Sequence, residues 1–161
     1  MAFDAFLKLE GIEGESLDSK HKGEIEIESF SFGEANYQRA ASGGGAGAGK
    51  VSLQDFHFTM KTSKASPKLF LSCATGKHHV DGLLTLRKAG GDQLEYMKIK
   101  LSDILISSYE LGGVPAGDDV PMDQVSINFS KIEYSYSTQK ADGSLDSPVV
   151  VVFDRKTNTG G

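Results

Sequence analysis

Val125-Ser126-Ile127-Asn128-Phe129-Ser130-Lys131-Ile132-Glu133-Tyr134-Ser135-Tyr136 alternates apolar and polar side chains, then changes phase once. Val125, Ile127 and Phe129 are odd-numbered, whereas Ile132, Tyr134 and Tyr136 are even-numbered. Side chains along a strand point to opposite faces in turn. A one-residue phase change therefore moves the apolar set to the other face unless a bulge or bend absorbs the extra residue. The same change occurs twice more: Ile25 and Ile27 give way to Phe30 and Phe32, and Val51 and Leu53 to Phe56, Phe58 and Met60. Long strands that bend near the middle are what a small, tightly curved barrel requires, and a bulge is the expected device in two of the three cases. The rival explanation is a strand whose halves bury opposite faces, one in the core and one in a subunit contact.

Working outward, Phe3, Leu7 and Leu9, then Leu84 and Leu86, then Met97, Ile99 and Leu101, and finally Val149 to Phe153 mark further strands. Turn residues separate them and no internal repeat is visible. The expected fold class is all-β, a single β-barrel of bent antiparallel strands. One short helix interrupts it. Ser66 suits the N-cap and Pro67 the first helical position, Leu69, Phe70 and Cys73 share a face, and Gly76 can close the helix in a left-handed conformation. A helix of about ten residues is marginal alone, so its apolar face is expected to pack against the barrel. Two loops stand out, an extended glycine-rich one around residues 43–49 and a surface loop from Gly112 to Asp119. The domain is expected to span residues 1–156, with 157–161 a disordered tail.

Bulk properties narrow the function. The 161 residues fit one compact domain with a core of its own. The net charge of −5, with no run of Lys or Arg longer than two, argues against nucleic acid as the main partner. The single cysteine excludes an intrachain disulfide framework. The longest apolar run, Val149 to Phe153, is far short of a bilayer span, so no membrane insertion is expected. The N-terminus has no basic region followed by an apolar stretch, so no secretory signal peptide is expected either.

Candidate chemistry is thin. Gly44, Gly49 and Lys50 match a G-x-x-x-x-G-K frame, but Val51 stands where a hydroxyl should meet magnesium, and a strand follows where a helix should begin. Among the four histidines, His78 and His79 are adjacent and point apart on a strand, while Asp55 and His57 share parity without a third ligand at suitable spacing. Glu24, Glu26 and Glu28 form an acidic stripe for which Lys98 and Lys100 are the expected cross-strand partners. Cys73 falls on the apolar helix face, where a thiol is usually inert. No catalytic residue, metal site or cofactor is assigned, and the chain is not expected to be an enzyme.

Particular residues go further. Gly14-Glu15-Ser16, Asp18, His21, Glu24-Ile25 and Ser29-Phe30-Ser31-Phe32-Gly33 come first. Gln54-Asp55-Phe56, Ser66-Pro67, Gly76-Lys77-His78 and Thr85-Leu86-Arg87-Lys88-Ala89-Gly90 follow, and then Asn128-Phe129-Ser130-Lys131-Ile132 and Gln139-Lys140-Ala141-Asp142-Gly143. In order and spacing, from about Phe3 to Asp154, this set resembles the Hcp (haemolysin co-regulated protein) family. Phe32 departs from the Trp that members often carry, and Gly112 to Gln124 matches less well. The resemblance implies a structural subunit of the type VI secretion inner tube, forming homohexameric rings that stack. The implied partners are other copies of the chain, a VgrG-type spike, the contractile sheath and baseplate, and small effectors carried in the lumen. It also implies a protein that is cytoplasmic before assembly and is then secreted to the medium or into target cells.

Two site expectations follow. The loop Gly43, Gly44, Gly45, Ala46, Gly47, Ala48 and Gly49 is expected to dock on the adjacent ring or subunit. Ser29 and Ser31 point away from a core that takes Phe30 and Phe32, and are expected to face the lumen. Alternation alone fits the outer solvent surface equally well, and the family resemblance favours the lumen. The alternatives are a monomeric or scaffold-type barrel and, more distantly, a small-ligand-binding barrel.

Overall fold

A computed structural model of the chain describes residues 3–36, 51–117 and 119–161. Its strands are β1 (Phe3–Leu9), β2 (Ile25–Glu26), β3 (Ser29–Ser31), β4 (Glu34–Asn36), β5 (Val51–Leu53), β6 (Phe56–Lys61), β7 (His78–Lys88), β8 (Glu95–Gly112), β9 (Met122–Tyr136), β10 (Val149–Asp154) and β11 (Thr159–Gly160), with one helix, α1 (Ser66–Thr75), between β6 and β7. The all-β class with a single helix is as expected. One nine-stranded sheet runs β11-β10-β9-β8-β7-β1-β2, and β6 joins it by pairing with β9 on one side and β3 on the other. Every pairing is antiparallel. Between β2 and β3, the Ile27 N–H donates to Ala5 O and the Glu28 N–H to Thr59 O, so this short segment reaches from the β1 edge to β6.

The phase changes have a different origin from the bulges anticipated. In the first two cases the change falls in a break between strands, β2 to β3 and β5 to β6. In β9 the strand is continuous, and the change from Phe129 to Ile132 lies opposite a second one in β8, where Ile99 and Leu101 give way to Ile104 and Ile106. Asp103, at that point, has φ of +52°. A left-handed residue is costly for anything but Gly, Asn or Asp, and here the carboxylate is held from three sides. It accepts from Ser130 Oγ at 2.8 Å and Lys156 Nζ at 2.7 Å, and lies 3.2 Å from His78 Nδ1. The true register shifts are elsewhere, at Leu86/Arg87 and at Ile106/Ser108.

Lys156, Ser130 and His78, in that order, hold the Asp103 carboxyl at about 2. A depressed value means that the contribution to stability is present above the unfolded value of about 4 and is lost as pH falls through the folded one. Acid titration followed by near-ultraviolet circular dichroism should show loss of structure between about pH 4 and 2, with a shallower dependence in Asp103→Asn. Superimposable curves would contradict this role.

Leu7, Ile25, Phe56, Phe58, Leu84, Ile104, Ile127 and Phe129 form one buried cluster, which Leu69 of α1 joins from beside β8. The helix begins one residue away from the expected cap. Ala65 occupies the N-cap without a side-chain bond, while the Ser66 hydroxyl lies inside the helix and donates to the buried Asp123 carboxylate. Gly76 closes the helix with φ of +67°, as read from the sequence. Leu69 is fully buried and Cys73 half-buried, but Phe70 is 59% exposed and meets Tyr109 edge-on at 6.2 Å. The inward stripe is Ser66, Leu69 and Ser72, and a residue next to Leu69 is turned about 100° from it.

The acidic stripe does not pair with β8. Its segment lies against β1 and β6, so Glu24 meets His21 at 2.9 Å, while Lys98 pairs with Glu95 at 3.5 Å and Lys100 with Asp81 at 3.9 Å. The stretch from residue 10 to 24 instead covers the outer side of β1. There His21 stacks on Phe6 at 4.4 Å, and Arg87 Nη2 donates to Asp18 at 2.6 Å. Burial pushes Glu95 up, but its hydrogen bond to His21 and the charge of Lys98 outweigh it and leave the carboxyl lowered. Where a disordered tail was expected at 157–161, Thr159–Gly160 pairs with β10, and Gly161 exchanges two 3.0 Å backbone bonds with Val152.

Candidate functional site

Register decides what the open face of β3, β6, β9 and β8 presents. Ser31 lies opposite His57, His57 opposite Ser126, and Ser126 opposite Ser108. In the next row Ser29 lies opposite Thr59, Thr59 opposite Gln124, and Gln124 opposite Glu110. The intervening residues Phe30, Phe58, Val125 and Tyr109 turn to the other side, where Phe58 and Val125 are buried. Strict alternation across four strands thus separates an aromatic and aliphatic back from a polar front on which five of the eight side chains are Ser or Thr. The bulge at Ser107 is part of this arrangement. It adds a residue after Ile106 and so brings Ser108 onto the front.

These rows line an open trough of about 630 Å³. Hydrogen bonds tie neighbours across it: Ser29 Oγ to Thr59 Oγ1 at 2.6 Å, and His57 Nδ1 to Ser126 Oγ at 2.6 Å. Asp55 borders the rows and accepts from Ser107 Oγ at 2.5 Å and Asn128 Nδ2 at 2.9 Å. Glu110 is the one formal charge in the two rows.

The structure therefore brings Ser29 and Ser31, both exposed, onto one polar sheet face with Asp55 and His57. Asp55 and His57 bind side chains of β8 and β9, and no group of three metal-ligating residues occurs among the described residues. Gly43 to Gly49 and the Gly44/Gly49/Lys50 frame lie outside the described residues. His78 and His79 do point apart: the former is exposed beside Asp103, the latter buried between Ser72 Oγ and Glu10 O. Sequence reading did not single out Ser108, Gln124 and Ser126. The alternation that makes Val125 and Ile127 apolar already marks Gln124 and Ser126 as the opposite face, but their alignment with Ser31 depends on register across β6.

A family model described as type VI secretion system effector, Hcp, matches residues 6–136. Protein hcp1 of Pseudomonas aeruginosa is 42% identical over 147 residues, covering 91% of this chain and 90% of that one. Among solved structures, Hcp1 from Salmonella typhimurium aligns at 33% identity with a TM-score of 0.82 over 100% of both chains. A structure described as a type six secretion system protein aligns at 27% identity with a TM-score of 0.92, over 99% of this chain and 100% of that one. With a family match over most of the fold and relatives that cover nearly its full length, the chain belongs to the Hcp family of type VI secretion proteins.

Proposed function

We propose that this chain is a structural, non-catalytic subunit of the type VI secretion inner tube, forming homohexameric rings whose lumen is lined by the polar face of β3, β6, β9 and β8. In this reading the rings stack, end at a VgrG-type spike, and are expelled by the sheath from a baseplate, carrying small effectors out of the cytoplasm. The observation that carries the reading is the two-sided sheet: a packed apolar back and an open front of hydroxyls around Ser29 and Ser31. A conduit for varied cargo needs small side chains that leave room and bind nothing too tightly. Family membership supports the ring and the export route.

Ser31→Gln tests the lumen assignment. The longer side chain is exposed and leaves the core untouched, so six-membered rings should persist while the yield of co-purified small effector falls about tenfold. An unchanged effector yield in intact rings would place Ser31 on the outer surface.

β4 and β5 pair with each other and not with the main sheet, and residues 37–50 connect them in the sequence. That placement supports a reaching role for Gly43 to Gly49, which we assign to contact with the adjacent ring or subunit. Deleting Gly43 to Gly49 should leave rings intact in negative-stain images but shorten or abolish stacks. Stacks of wild-type length would remove that role.

A further inference from the structure

We propose that His57 sets what this lumen retains, favouring uncharged, hydrogen-bonding polypeptide surface over charged surface. The inference rests on the lumen reading and adds the chemistry of the cargo. His57 is exposed at the centre of the trough, with Ser31 and Ser126 as its neighbours across the strands. Its Nδ1 is engaged by Ser126 Oγ at 2.6 Å, which orients the ring, while Nε2 has no partner among the described residues. A serine hydroxyl can donate or accept, so Nδ1 can take either role and Nε2 the complementary one. The imidazole therefore presents a donor or an acceptor as the approaching group demands. Ser29 and Thr59 have the same freedom, since either hydroxyl can donate in their mutual bond, and the Gln124 carboxamide offers both.

What complements such a face is a surface of backbone amides, hydroxyls and carboxamides. A negatively charged surface would give up hydration there without meeting any counter-charge. A positively charged one would meet negative charge only at the margins, at Glu110 at the end of its row and at Asp55, whose two oxygens each already accept a hydrogen bond. Any preference is repeated at every subunit of a ring, which makes a single position decisive.

The test uses assembled rings and three fluorophore-labelled peptides of one Ser/Thr/Asn-rich sequence: neutral, lysine-bearing and glutamate-bearing. Wild-type rings should bind the neutral peptide about tenfold more tightly than either charged one, with little dependence on salt. His57→Gln, which keeps both hydrogen-bonding roles, should retain that order. His57→Lys should shift preference to the glutamate peptide and His57→Glu to the lysine peptide, both with salt-sensitive binding. Wild-type rings that prefer a charged peptide or bind none, or a His57→Lys ring with the wild-type order, would overturn the proposal. Failure of the lumen reading looks different: no rings form, or Ser31→Gln leaves effector retention intact. If rings form and Ser31→Gln lowers retention while the His57 series changes nothing, only the role of His57 falls.

Discussion

Phe56→Ala is expected to lower the unfolding free energy by about 3–5 kcal/mol, the range for removing a buried aromatic ring from a packed core. Phe56 is 0% exposed, its ring lies 6.0 Å from Phe30 and 6.2 Å from Phe58, and it faces Ile127 across the β6–β9 ladder. The loss reaches the functional face, because β6 also carries His57 and Thr59 on its other side. Urea denaturation at matched protein concentration measures the effect. A change below about 1 kcal/mol would mean that the aromatic back does not anchor the sheet.

Gly14→Ala should cost about 3 kcal/mol, the upper range for forcing extra atoms into a packed site. A Cβ at residue 14 would stand 2.4 Å from Glu24 O and 2.7 Å from the Ile25 Cα. Those are backbone atoms and cannot swing aside. Glu24 O accepts from the Ser16 N–H at 3.1 Å, and Gly14 itself donates to Gly23 O at 2.8 Å. Separating these strands of chain would loosen the segment that stacks His21 on Phe6 and brings Asp18 to Arg87. Thermal melting of the variant checks this, and a melting temperature equal to that of the parent chain would contradict the close approach.

The sequence made the strands and the class of fold legible because period-two alternation is a local signal. The phase changes were visible for the same reason. Their cause was not, because it lies in pairs of residues far apart in the chain: Asp103 is stabilised in its left-handed conformation by His78, Ser130 and Lys156, which no local pattern connects. The helix shows the same division. Gly76 as its C-terminus follows from the residue type, whereas the N-terminal role of Ser66 was lost to a buried acceptor, Asp123, 57 positions away. The lumen candidates Ser29 and Ser31 could be placed on the polar side of one short strand, and the rest of that face could not. Its members align only once the registers of β6, β9 and β8 are known, including the extra residue at Ser107. The expected pairing of Glu24, Glu26 and Glu28 with Lys98 and Lys100 failed on the same point, since it required a strand order that the chain does not adopt.

Ring formation is the premise on which the lumen face, the stacking loop and the role of His57 all depend, and native mass spectrometry of the purified chain tests it most directly. The account predicts a dominant species of six chain masses that persists on dilution into the low micromolar range. A single-chain species at every concentration would contradict it and leave the polar trough as the outer surface of a monomeric all-β protein.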